Sequence, residues 1–290
     1  SMFRITMAGT ACLVFFFFLT GHAWAGCQAY SKAKELGAYT AAQAAKDLDV
    51  QWEQENCVAM TNAGYAQPDG QFTLGCLDGI SHISKTSVGQ KSLIRLQSRF
   101  DQQLWFAFYH RESGQCAYYQ LDADKSANVL GGKHDLSPDI FARQDTARID
   151  AKYLFANPEK FKKKFTKGLF GPNLFRVVTA ANAADQNCPD QVLNAMQVHD
   201  HYCPGVTSGI ILATFVQEHI LKDSPQAKCF VLSLNPWCKE DALTTLLNAT
   251  PGKRAYGVLY PAEEEVKSWP EPMNQVDTVV FTQEEEEKKW

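Results

Sequence analysis

Residues 76–91, opening Cys76-Leu77-Asp78-Gly79-Ile80-Ser81-His82-Ile83 and closing on Gly89-Gln90-Lys91, can be laid against residues 238–253, with one single-residue gap. The second stretch opens Cys238-Lys239-Glu240-Asp241-Ala242-Leu243 and closes on Gly252-Lys253. Upstream of each lies a short apolar run with strand character, Cys57-Val58-Ala59-Met60-Thr61 and Cys229-Phe230-Val231-Leu232-Ser233. Each half of the chain therefore offers helix, strand, cysteine, helix, glycine turn and strand in the same order. The fold this predicts is α+β, built as two tandem related lobes, each a small mixed sheet packed with helices.

Working outward, the segment Ala29 to Leu48 reads as a helix whose core face is Tyr30, Ala33, Leu36, Tyr39, Ala42 and Ala45. Ser92–Leu96, Leu104–Tyr109 and Tyr118–Leu121 read as strands, rich in aromatic or branched residues between turn signals. From Asp122 to about Phe175 glycines and prolines punctuate shorter segments, and Lys160-Phe161-Lys162-Lys163-Lys164 reads most simply as a solvated helix face. Beyond it come helices at Val178–Gln197, Thr207–Leu221 and Asp241–Leu247, and strands at Phe230–Leu234, Ala255–Tyr260 and Thr278–Phe281. The expected division is 1–25 signal peptide, 26–122 first lobe, 123–175 connecting helical region and 176–290 second lobe.

The 290 residues are 45% hydrophobic and 21% charged, ordinary globular material. Their 28 basic and 32 acidic side chains are mixed along the chain for a net charge of −4, so nucleic acid is not expected as a partner. Phe3-Arg4, the apolar run Ala11 to Leu19 and Ala23-Trp24-Ala25 form the three parts of a secretory signal, and the run is too short to span a bilayer. Export to the periplasm is the expectation, with lipid anchoring at Cys27 the second choice because Trp24 stands where a lipobox has leucine. Removing the signal leaves cysteines at 27, 57, 76, 116, 188, 203, 229 and 238, an even count that suits disulfides and metal thiolates side by side.

His199-Asp200-His201-Tyr202-Cys203-Pro204-Gly205 is the densest chemistry in the chain. Two imidazoles and a thiol within five residues are borderline-to-soft donors suited to zinc and neighbouring transition metals. On an extended or turning segment alternation puts His199, His201 and Cys203 on one side, and the helix starting at Pro204-Gly205 turns its positive end toward the thiol.

The stretch 190–209, with this cluster at its centre, resembles the opening of the FmdE family, which takes its name from formylmethanofuran dehydrogenase and in which a helix runs into His-Gly-His-x-Cys-Pro-Gly. A second landmark of that family, a strand followed by Cys, Asp-Ala and a Thr-x-Gly-Lys turn, is matched by Cys238, Asp241-Ala242 and Thr250-Pro251-Gly252-Lys253. The resemblance covers roughly residues 188 to 260. It implies a small α+β metal-binding domain with His199, His201, Cys203 and Cys238 as ligands, zinc as the metal or another transition ion in its place.

Asp200 stands in place of the signature's glycine as a further ligand or a partner for a histidine, and Ala249 stands where members often have cysteine. The first lobe keeps Cys76 alone, with Lys34 and Leu36 aligned to His201 and Cys203, so one site is expected for the whole chain.

The function expected is capture or delivery of a metal ion or a metal-containing small molecule, with a membrane transporter as partner and the chain acting as a monomeric pseudo-dimer or a homodimer. Haem is a variant, with Tyr202, Trp237, Phe215 and Tyr256 lining a flat apolar pocket. A zinc enzyme using Asp200, Glu240 or Asp241 as base is the alternative, and an interaction module with a structural metal a second one.

Overall fold

The computed structural model describes residues 23–223 and 227–283, and the side chains from residue 28 onward. The expected signal run, the side chain of Cys27 and the acidic run 284–287 lie outside the described residues. No helix among the described residues is long and apolar enough to cross a membrane. The protein is mixed α+β and divides into two compact units, residues 1–149 and 150–290.

The first unit runs α1 (Ala23–Leu48), β1 (Cys57–Thr61), α2 (Gly75–Ser84), β2 (Leu93–Arg95), β3 (Trp105–His110), β4 (Gln115–Leu121), α3 (Ala123–Leu130) and β5 (Phe141–Arg148). Its sheet has the order β2-β1-β3-β4-β5, with β1 parallel to β2 and antiparallel to β3. All residues of β1 and β3 are buried, which explains why both read as unbroken apolar runs and not as an alternation. Helix α1 buries Ala33, Leu36, Ala41 and Ala44 while Tyr30 is exposed, a correction to the expected face. A spacing of three drifts round a helix of 3.6 residues per turn, so the buried stripe moves on by a residue after Leu36.

Two further expectations for this half are corrected. The region 123–175 is no connector: Asp122 caps α3 through its side chain, β5 pairs along β4, and the boundary between units falls after Ile149. Among the described residues, Cys57, Cys76, Cys116, Cys203, Cys229 and Cys238 are in no disulfide. In the sheet Cys57 pairs with His110 on β3 while Cys116 pairs with Tyr109 on the other side of that strand. Two strand spacings, roughly 9.5 Å, are beyond the reach of a disulfide.

The second unit runs α4 (Ala151–Ala156), α5 (Pro158–Thr166), α6 (Leu174–Asp185), α7 (Asp190–His199), α8 (Pro204–His219), β6 (Lys228–Leu234), α9 (Lys239–Leu246), β7 (Tyr256–Leu259), α10 (Glu263–Ser268) and β8 (Thr278–Gln283). The single helix expected over 178–197 is two, because Asn187 turns left-handed at φ 50° and Pro189 withholds the backbone N–H a continuing helix needs. Its sheet has the order β7-β6-β8, with β6 parallel to β7 and antiparallel to β8. Helix, strand, helix, parallel strand, antiparallel strand is also the sequence α1, β1, α2, β2, β3. The two units thus share one topology around a central strand.

A glycine allows each helix pair to close. A Cβ built on Gly37 of α1 would stand 2.1 Å from the carbonyl oxygen of Cys76 on α2, and one built on Gly209 of α8 would stand 2.3 Å from that of Lys239 on α9. Only a residue without a side chain permits backbones this near.

Candidate metal centre

The site forms where α7 ends. Asp200 follows His199 in the left-handed conformation, φ 68° and ψ −5°, a geometry that suits glycine best and aspartate better than most residues. That accounts locally for an aspartate at the glycine position of the signature. The chain turns sharply there and straightens at Cys203, the N-cap of α8 at φ −146°, with Pro204 at the first helical position, where its missing N–H costs nothing. The histidines are therefore gathered by a turn, one of the two backbone forms expected for this segment. Their ring centroids are 4.3 Å apart.

One donor atom from each of His199, His201 and Cys203 lies within 4.8 Å of the other two, and all three residues are half-buried. His199 Nε2 is 3.8 Å from Cys203 Sγ. Both rings are held by the opposite nitrogen: His199 Nδ1 lies 2.6 Å from Asp241 Oδ2, and His201 Nδ1 lies 2.7 Å from Asp200 Oδ1. An imidazole whose Nδ1–H donates to a carboxylate presents its Nε2 lone pair outward with raised basicity, the arrangement that orients histidines toward a metal. Two nitrogens and a thiolate sulfur are a donor set that fits a transition-metal cofactor.

Cys238 stands beside this trio and not within it. It precedes α9, and a Cβ on Gly205 would come 2.6 Å from its Cβ, 3.3 Å from its Sγ and 3.8 Å from Cys203 Sγ. Gly205 is thus the space into which Cys238 packs. Burial first, then the hydrogen bond and the charge of Cys203, push the Cys238 thiol up. Ala249, at the position of the missing family cysteine, is fully buried with Ala213, Val231 and Leu243, in a different cluster from the one that Cys203 and Cys238 border.

Residues of α6 complete the support, and sequence reasoning passed over them. Arg176 Nη2 donates to Asp200 Oδ2 at 2.8 Å, so one carboxylate bridges a guanidinium and an imidazole. Thr179 Oγ1 accepts the backbone N–H of Tyr202 at 3.1 Å, and Phe175 meets the His201 ring edge-on at 5.2 Å. Positions 175, 176 and 179 lie on adjoining faces of one helix, but nothing local couples them to a loop more than 20 residues away.

The four aromatics expected to form a flat pocket do not assemble. Trp237 is 80% exposed, its backbone N–H donating to Glu240 Oε2, and Phe215 is 54% exposed. Tyr256 packs with the sheet-side cluster, while Tyr202 borders the cluster of Ala195, Val206 and Ala242 and accepts from Thr207 Oγ1. The expectation rested on aromatic content, and each ring has found separate surroundings.

Residues 198–289 match the family model described as FmdE, Molybdenum formylmethanofuran dehydrogenase operon. Comparison of the chain with curated proteins finds no match. The matched segment begins one residue before His199 and takes in Cys238 and β6–β8, whereas Arg176 and Thr179 lie upstream of it.

Proposed function

From the premise that the chain carries an FmdE-family domain at residues 198–289, we propose that it is an exported protein that captures or delivers a transition-metal ion, zinc in the first place. His199 Nε2, His201 Nε2 and Cys203 thiolate supply three donors and Cys238 a fourth when its thiol is drawn in. The observation that carries the reading is the double clamp, Asp241 on His199 and Asp200 on His201, which points two imidazoles and a thiol at one volume. Export rests on the signal-like run before Ala25, and the partner on the far side of delivery would be a membrane transporter. The first unit is a copy that kept the topology and lost the donors.

Binding is favoured over catalysis by what the acidic residues are doing. Asp241 is committed to His199, Asp200 to His201 and Arg176, and Glu240 to Lys239 at 2.8 Å and the Trp237 N–H. Each base that a hydrolytic zinc enzyme could recruit here already has a partner of its own. The three-donor trio with Cys238 to one side is the feature that favours the enzyme reading in return, since it leaves a coordination position for water.

Elemental analysis of the purified chain with its Cys203→Ser variant tests the proposal. One transition-metal ion per chain in the parent and none in the variant is the expected result; equal metal content in the two would overturn it. A tightly held ion that resists chelators in full four-fold protein coordination would instead make the metal structural.

A further inference from the structure

Bordering the metal centre at Tyr202, the second unit contains an open apolar groove of about 850 Å³, lined among others by Leu154, Phe161, Phe165, Val178, Val192 and Tyr202. Helices α4 and α5 form one wall, and neither buries a single residue. Phe155 is 87% exposed and Phe165 58% exposed, large apolar side chains that the chain itself leaves in water. Between residues 151 and 167 there are six lysines, at 152, 160, 162, 163, 164 and 167, against the one acid Glu159, a net +5 inside a chain of net −4.

The placement of these charges is specific. Phe161 and Phe165 are one turn apart on α5, and at 100° per residue Lys162 and Lys164 fall on the two flanks of that stripe while Lys160 and Lys163 lie opposite. Lysines on either side of exposed aromatics can lay their stems along apolar material and their ammonium groups on anions above it. Short helices of this composition lie in the plane of a bilayer surface.

We propose that α4 and α5 dock on an anionic lipid bilayer, with Phe155 and Phe165 entering the acyl layer, the lysines on the phosphate headgroups and the groove open to the chains. A soluble polyanion would satisfy the lysines but leave the phenylalanines and the groove unused. With so short a segment, attachment is reversible and weakens as salt screens the headgroups.

Co-sedimentation of the full chain with vesicles tests this, using phosphatidylcholine alone and phosphatidylcholine with phosphatidylglycerol. Binding is expected to require phosphatidylglycerol. It should weaken about fivefold for each lysine neutralised in Lys162→Ala and Lys164→Ala. The pair Phe155→Ser and Phe165→Ser should weaken it by about tenfold or more. These side chains are exposed, so far-UV circular dichroism and metal content serve as controls for folding. Absence of binding to the mixed vesicles would overturn the proposal, as would binding that the phenylalanine pair leaves unchanged, which would make the segment a polyanion site.

Discussion

The helix pair α1/α2 and the helix pair α8/α9 close in the same way and end with different chemistry. In the first, Cys76 is fully buried, burial pushes its thiol up, and the nearby carboxylate of Asp78 accepts a 2.7 Å hydrogen bond from the Tyr30 phenol. In the second, Cys238 is half-buried beside Cys203, and the carboxylate of Asp241 holds an imidazole. A thiol sealed among apolar groups acts as a small hydrophobe, whereas one at a partly open margin beside imidazoles can be a ligand. The scaffold is common to both pairs; the chemistry follows from which residues sit at its open end.

This contrast can be broken most decisively through the cysteines. Cys203→Ser should remove the metal altogether, while Cys76→Ser should leave metal content intact and lower stability by about 1–3 kcal/mol for burying a hydroxyl, as elemental analysis and denaturant titration would report. The glycine contacts come next. Gly37→Ala drives a methyl into the Cys76 carbonyl and should cost about 3 kcal/mol with metal retained, whereas Gly209→Ala, against Lys239, should cost a similar amount and weaken metal binding as α8 and α9 part.

Smaller effects sharpen the comparison. Asp241→Asn should weaken metal affinity roughly 10- to 100-fold in competition with a chelator, and Asp78→Asn should not change it. Tyr30→Phe deletes the phenol whose bond to Asp78 pushes its own titration up, and should leave both metal content and the thermal midpoint close to the parent values. Were Tyr30→Phe or Asp78→Asn to release metal, the assignment of a single site to the second unit would fail.

Most strands were readable because their signals are local, but β5 was not, since Phe141–Arg148 is mainly polar and partly exposed. Cys57–Met60 and Leu104–Tyr109 are continuous apolar runs, and Lys228–Leu234 needed only extending at its start. The break at Pro189 was visible in the sequence too, but the apolar pattern on either side overrode it. Of the candidate site, His199, His201 and Cys203 were legible from density alone. Arg176 and Thr179 were not, since an arginine and a threonine on a helix surface carry no mark of the turn they support. The apolar helix Pro204–His219 also misled, because Ile211 and Phe215 stand exposed although their residue types suggest a core.

The left-handed turn at Asp200 governs how an ion would be taken up. The contacts that fix both imidazoles run from protein to protein, through Asp200, Asp241 and Arg176, and the turn itself is anchored by Thr179. The rotational freedom of the ligands is thus surrendered during folding and not at the moment of capture. In small zinc modules, by contrast, metal binding supplies the folding free energy itself. Here loading becomes a docking step onto a finished surface, so chelation should strip the ion while the far-UV circular dichroism stays unchanged, leaving a receptor ready to be refilled.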